Sequence, residues 1–217
     1  MVTKLPKWSQ NYRADASRLT YAKIQAASRS KVFIAIDLEW DESNPSRILE
    51  VGLAILDLRP RKLHPKRTPP STWDIRPRHI IISENRDVHN SKYVRSNKFG
   101  FKFGKSYFTR DAKARETVQA VLDRYEPDEV VLVGHLMGND LRRLEEWGVV
   151  LDEEIDVLDT AGLERVYMSR VNGRKVSLEG MCEELDVPYY RSDKLHNAGN
   201  DAFFTMAAFL EMCVVSD

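Results

Sequence analysis

The chain has 217 residues, 42% of them hydrophobic and 30% charged, so it holds enough apolar material for a sizeable core and is not globally disordered. No stretch approaches the roughly 20 apolar residues of a membrane span, and the first ten residues carry bases but no apolar run of a secretory signal. Two cysteines, Cys182 and Cys213, are too few for a disulfide framework, and no Cys/His cluster has zinc-ligand spacing. The expectation is a protein of a reducing compartment, cytoplasmic or nuclear, with no membrane association.

A net charge of zero conceals a strong polarity. Residues 1–115 hold 24 Lys and Arg against 11 Asp and Glu, whereas residues 116–217 hold 9 against 22. Such asymmetry suggests a chain that meets a polyanion with one part of its surface.

Residues 1–30 form a basic arm with six Lys or Arg and one Asp, and Asp15 to Ala27 has the apolar marks of a short helix. From Lys31 the pattern changes. Val32 to Ile36 (VFIAI) reads as a buried strand and Arg47 to Leu58 (RILEVGLAILDL) as a second, with an Asn44-Pro45 turn signal between them. Residues 59–72 are basic and proline-rich, a loop signature. Trp73 to Ser83 resumes strand character, and three strands without an intervening helix suggest an antiparallel meander.

The second half alternates. Asp111 to Arg124 has helical spacing through Ala114, Val118, Val121 and Leu122. Val130 to Val133 is a short strand, Asn139 to Trp147 a helix, and Ile155 to Leu158 a further strand. Ser177 to Leu185 reads as a helix with Ser177 as its N-cap, and Gly199 to Val214 as a long final helix. The fold class is therefore α/β: a mixed sheet, three antiparallel strands followed by two parallel ones, flanked by helices. Residues 31–217 make one domain behind the arm, with basic insertions at 59–72 and 85–110.

Three segments carry carboxylates at element ends. Asp37 and Glu39 alternate along the first strand and so project from one face. Two acids at the end of a buried strand repel unless a cation offsets them, and hard cations such as Mg²⁺ or Mn²⁺ suit oxygen ligands; a strand end entering solvent explains the pair equally well. Asp140 falls in the first turn of a helix that follows the glycine turn Val133-Gly134-His135-Leu136-Met137-Gly138, where a carboxylate also serves the helix dipole. His196 lies in the loop entering the last helix, and Asp201 in its first turn. Together, four acids and one histidine fit a single mechanism, in which two divalent ions activate water against a phosphodiester and the histidine accepts its proton.

The set Asp37-x-Glu39, Asp140 and His196-x-x-x-x-Asp201 resembles the DEDDh class of 3′–5′ exonucleases, relatives of ribonuclease T and the polymerase proofreading subunit. Ile48-Leu49-Glu50-Val51-Gly52, His135, Asp159-Thr160, Ser177-Leu178-Glu179 and Ala198 match in order, and the likeness covers roughly Val32 to Leu210. His79 to Asn85, Asn97 to Ser106 and Leu195 to Ala202 look like a fungal branch associated with mRNA-export suppression and an Argonaute-interacting quelling exonuclease.

The resemblance implies a ribonuclease H-like fold, two Mg²⁺ or Mn²⁺ ions, and release of nucleoside 5′-monophosphates from a single-stranded 3′ end. It also implies a protein partner in RNA silencing or mRNA metabolism. Carried over by position, Asp37, Glu39, Asp140 and Asp201 would be metal ligands and His196 the general base. Leu38, Trp40, His135 and Asn139, which flank the motif acids, would face the nucleic acid.

One position departs from the pattern: Trp40 stands where many members have threonine. The tyrosine-based sister class would need tyrosine at the position of Asn197, so the histidine assignment stands, and Trp40 reads as a core residue before a base-stacking one.

Residues 92–110 interleave bases with rings, the pattern of single-strand binding, and Lys98, Phe101, Lys102 and Lys105 are its candidate contacts. A loop pinned to the body by its own aromatics fits the same pattern. Two alternatives to an exonuclease accompany these readings: a binding or docking module with little turnover on the same scaffold, and an endonuclease of ribonuclease H type.

Overall fold

The computed structural model describes residues 20, 22, 23, 26, 30–59, 74–93, 95–168 and 176–213. The loop expected at 59–72 lies outside them apart from Arg59, and so does most of the arm at 1–30, although Ala22 and Ala26 are buried in the core.

Among the described residues, six strands form one sheet: β1 (Val32–Trp40), β2 (Ile48–Asp57), β3 (Arg76–Ile82), β4 (Ser106–Thr109), β5 (Val130–Gly134) and β6 (Asp156–Asp159). Their order across the sheet is β4-β3-β2-β1-β5-β6. The β1–β2 and β2–β3 pairs are antiparallel, and the β1–β5, β5–β6 and β3–β4 pairs are parallel. The mixed α/β sheet expected from the sequence is the one observed, with β4 added at its edge.

The apolar runs of β1 and β2 occupy the middle because both faces are covered, which is why they read as continuous rather than alternating. On one face, α1 (Asp111–Leu122) and α2 (Gly138–Trp147) pack through Ala114, Val118, Leu141 and Leu144 against Ile34, Ile36, Val51 and Leu53. On the other, α5 (Ala198–Cys213) is apolar nearly all round and packs on Phe33, Ala35, Ala54 and Leu56, with the Phe209 ring 5.1 Å from Phe33. Helices α3 (Thr160–Tyr167) and α4 (Leu178–Glu184) complete that layer, and Ser177 caps α4 as expected, its Oγ accepting from the Gly180 N–H.

Apart from three single-turn 3-10 helices, two elements among the described residues have no counterpart in the sequence-based reading. Strand β4 has only four residues in a Lys- and Gly-rich stretch, and its backbone is specified by the β3 edge. Helix α3 begins directly at the end of β6, where the Asp159 carboxylate accepts the Ala161 N–H, and the absence of a loop hides the boundary.

Candidate active site

Asp37 and Glu39 lie on the α5 side of β1, continuing the face of Phe33 and Ala35, whereas Leu38 and Trp40 belong to the opposite core. Across the ladder, Gly52 of β2 stands opposite Asp37 and Glu50 opposite Glu39. Gly52 is where the last helix meets the sheet. A Cβ there would lie 1.7 Å from the Ala198 carbonyl oxygen, so only glycine lets the start of α5 seat itself. Gly199 makes the complementary approach, since its Cβ would lie 2.6 Å from that of His79. Close seating brings Asp201, in the first turn of α5, against the two acids of β1.

Asp140 arrives from the other side. Parallel pairing sets Ala35 beside Val133, so β5 ends at Gly134 while β1 runs on through Asp37 to Trp40, and the turn after β5 is shaped by Asp159, whose carboxylate accepts the N–H groups of Leu136 and Met137 at 3.0 and 3.3 Å. The turn leads into α2, where Asp140 Oδ1 accepts the Leu38 N–H at 3.0 Å. His196 enters through a strained loop with φ 62°, and its own N–H donates to Asp201 Oδ2 at 3.0 Å. Ligand atoms of Glu39, His196 and Asp201 all lie within 4.8 Å of one another.

Crowded carboxylates perturb each other. Burial raises the Asp37 carboxyl well above its ordinary range, with Asp140 and Glu50 adding to the rise. Burial does the same to Glu39, reinforced by Asp37 and Glu50, and to Asp201, reinforced by Asp37 and Glu39. Asp140 is pushed up to about 7 by burial, against the opposing hydrogen bond from Leu38. Asp201 Oδ1 is buried and has no hydrogen-bond partner among the described residues. Four clustered acids that cannot all ionise cheaply, one with an unsatisfied oxygen, suit a divalent cation with hard oxygen preference. Loss of solvation lowers the pKa of His196, and Glu179 of α4 opposes that shift.

A second network lies behind the acids. Glu50 is the one charged side chain in the interior of β2, whose other acid, Asp57, stands at the strand's end, a signal that could have marked it earlier. Its Oε2 sits 2.9 Å from His79 Nε2, and His79 Nδ1 reaches Ser106 Oγ at 2.8 Å. The Asn197 amide donates to the carbonyls of Asn97 and Lys98 at 3.2 and 3.0 Å and accepts the Asn200 N–H, fixing the His196 loop.

The residues expected to touch nucleic acid separate into distinct groups. Lys98 is only 1% exposed; its ammonium donates to the carbonyls of Asn85, Arg86 and Val88, so it is a buried pin and not a phosphate contact. His135 is also corrected: Nε2 donates to the Val176 carbonyl at 2.9 Å and Nδ1 lies 3.0 Å from Thr160 Oγ1, leaving neither nitrogen for a ligand. The Leu38 side chain is buried on the far face, and only its N–H reaches the site. Trp40 packs against the same far-side core with the Arg143 guanidinium 4.3 Å over its ring, the core role expected of it. Phe101 is half-buried, packed 5.2 Å from the His79 ring. Asn139, Lys102 and Lys105 are exposed.

The family model for the C-terminal domain of DNA polymerase III subunit epsilon-like proteins, the DEDDh family, matches residues 32–212. The chain belongs to the DEDDh family. It is similar to Good for full DBP5 activity protein 2 of Saccharomyces cerevisiae, 28% identical over 215 residues, covering 88% of this chain and 37% of that protein. It also resembles an uncharacterised nucleolar protein of Schizosaccharomyces pombe, 26% identical over 185 residues, covering 83% of this chain and 68% of that one. The chain thus spans well under half the length of the first of these relatives. These yeast relatives agree with the fungal branch that the sequence resembles.

Among solved structures, exonuclease I superposes with a TM-score of 0.52 at 11% identity, covering 83% of this chain and 41% of that one. The zinc-bound complex of Escherichia coli exonuclease I with single-stranded DNA gives 0.50 at 11% identity, covering 83% and 40%. At this identity the likeness shows the fold. The DEDDh domain is therefore a nuclease scaffold in which acids from three separate segments gather at one sheet end.

Proposed function

We propose that this DEDDh domain is a metal-dependent 3′–5′ exonuclease that hydrolyses single-stranded RNA or DNA from its 3′ end and releases nucleoside 5′-monophosphates. The observation that carries the reading is the approach of Glu39, His196 and Asp201 ligand atoms within 4.8 Å of one another, beside Asp37 and Asp140.

Asp37, Glu39, Asp140 and Asp201 would hold two Mg²⁺ or Mn²⁺ ions, and the buried, unpartnered Oδ1 of Asp201 is the donor that fits such a role best. When bound, such ions lower the pKa of water and stabilise the oxygen that leaves the phosphodiester. The part of this chain is then to aim and to move a proton. Asp201 Oδ2 holds the His196 backbone, which sets the imidazole at the rim of the carboxylate cluster. Lowered basicity keeps that imidazole neutral near pH 7, ready to take a proton from the attacking water. The Leu38 N–H keeps the Asp140 carboxylate turned toward β1.

Residues 31–217 would form the catalytic domain, with 1–30 a basic arm that extends the electrostatic track. The single-stranded DNA held by the exonuclease I neighbour supports a nucleic-acid substrate. The name of the nucleolar relative supports a nuclear site of action beside a cytoplasmic one, and a protein partner in RNA silencing or mRNA metabolism rests on the fungal resemblance. No helix among the described residues is long and apolar enough to cross a membrane.

The test compares linear and circular single strands of one sequence with Mn²⁺. End-directed hydrolysis degrades the linear strand, leaves the circle intact, and is lost in Asp37→Ala. Cleavage of the circle would instead make the protein an endonuclease, and binding without any product would make it a docking module.

A further inference from the structure

Of the aromatic side chains exposed to solvent, Tyr93, Phe99, Tyr107 and Phe108 fall within one short segment on either side of the β3–β4 edge. Single exposed rings are ordinary, but two of these are organised. Phe99 and Phe108 are 57% and 50% exposed and stack with 6.5 Å between centroids and 24° between planes. The His89 ring stands edge-on to Phe99 at 5.9 Å, and the Arg86 guanidinium lies 5.4 Å over Phe108.

The sheet register relates this pair to the acids. Glu39 pairs with Glu50, Glu50 with Ile81, and Ile81 with Phe108, and residues directly opposite share a face. Phe108 therefore projects from the carboxylate face, three strand spacings or about 14 Å from Glu39. Tyr107, its neighbour in β4, points to the other face and takes no part.

The surface is held in place before anything binds. Asn97 donates its N–H to the His196 carbonyl at 2.9 Å, two residues before Phe99. The Asn90 amide donates to the Trp40 carbonyl at 2.7 Å, and the Glu42 carboxylate accepts the Lys92 and Tyr93 N–H groups, each at 2.9 Å. Lys98 ties the turn from beneath. A segment pinned to both the β1 and the His196 motifs, yet presenting half-exposed rings, is preorganised for a planar ligand. The segment is cationic: between 86 and 110, Arg86, Lys92, Arg95, Lys102, Lys105 and Arg110 are exposed and Asp87 is the sole acid.

We infer that Phe99 and Phe108, flanked by Arg86, form a stacking platform for bases upstream of the terminal nucleotide of a single-stranded polynucleotide. Rings stack on any base while the cations neutralise phosphates, so the platform reads strand form and not sequence. This inference rests on the exonuclease reading for its direction along the strand, and it moves the aromatic contact from Phe101 to Phe99 and Phe108.

The experiment measures fluorescence anisotropy of a 12-nucleotide and a 3-nucleotide strand in EDTA, where no turnover occurs. Phe99→Ala/Phe108→Ala should weaken the 12-mer by fivefold to a hundredfold and the 3-mer little, with an unchanged salt slope because no cation is lost. Phe99→Trp should retain affinity and Phe99→Leu should lose it, a contrast that a purely structural role would not produce. Phe99→Ala alone, in a loop, keeps the test valid where the strand variant folds poorly. Unchanged 12-mer affinity in a folded double variant overturns the inference and leaves the patch to a protein partner. Platform-dependent binding without nucleotide release in Mn²⁺ would sink the exonuclease reading alone; hydrolysis by a double variant that binds and cleaves like the wild type would sink the platform alone.

Discussion

Asp201 Oδ2 accepts the backbone N–H of His196 at 3.0 Å, while Oδ1 of the same carboxylate is buried with no hydrogen-bond partner among the described residues. One oxygen thus organises the histidine loop, and the other is buried without such a partner in a carboxylate whose pKa is raised by burial and then by Asp37 and Glu39. This division explains why the last motif contributes both a carboxylate and an imidazole to the same place: the loop and the first turn of α5 are one hydrogen-bonded unit.

The seating of α5 depends on Gly52. Its Cβ position is occupied by the Ala198 carbonyl at 1.7 Å, so Gly52→Ala must push the helix start off the sheet. A backbone clash of this kind costs about 1–3 kcal/mol or more, and should lower the melting temperature by several degrees for a chain of this length. Nucleotide release should fall further than the stability loss alone explains, because Asp201 moves with the helix. Thermal unfolding and turnover measured at a temperature where the variant is folded check both effects.

The acid cluster should give the metal-free protein an inverted pH profile. Burial raises the carboxyls of Asp37, Glu39 and Asp201, and places Asp140 at about 7, so the folded state binds more protons than the unfolded chain above pH 4. Stability in EDTA is therefore fullest below the unfolded carboxylate values and declines as pH rises through 7. Mn²⁺ should restore it at pH 8 and matter little at pH 5. Asp140→Asn, which retains an oxygen for the Leu38 N–H, should stabilise the metal-free protein at pH 8 by at least about 1 kcal/mol and remove its response to metal. Melting temperatures over that pH range, with and without metal, decide the matter.

Lys98 and Lys105 should respond oppositely to substitution. Lys98→Met removes the donor shared by three carbonyls, at a cost of about 1–3 kcal/mol of stability, with the salt dependence of strand binding unchanged. Lys105→Ala, at an exposed position, should leave stability untouched and reduce the slope of log affinity against log salt by about 0.7. Chemical denaturation and salt-titrated binding separate the two.

Much of this fold was legible because burial writes long apolar runs: the β1, β2 and β5 segments announce themselves, and the spacing of Ala114, Val118 and Val121 fixes the core face of α1. Asp37 and Glu39 were legible as a pair because strand alternation is strict. Their meeting with Asp140 and Asp201 was expected from the shared chemistry and the family resemblance, but not from any local pattern, since it depends on Gly52 admitting a helix and on Asp159 shaping a turn, both distant in sequence. In the aromatic segment the structure corrects Lys98, which is buried. Nothing local distinguishes Lys98 from Lys102 or Phe101 from Phe99. The carbonyls that draw Lys98 inward belong to the turn after β3, and the His79 ring against Phe101 comes from β3 itself.

The most direct measurement is mass spectrometry of the products released in Mn²⁺ from a linear single strand, by the wild type and by Asp201→Asn. The account predicts nucleoside 5′-monophosphates appearing one at a time from the 3′ end with the wild type, and none above background with the variant. Longer fragments, or mononucleotides released equally by Asp201→Asn, would contradict it.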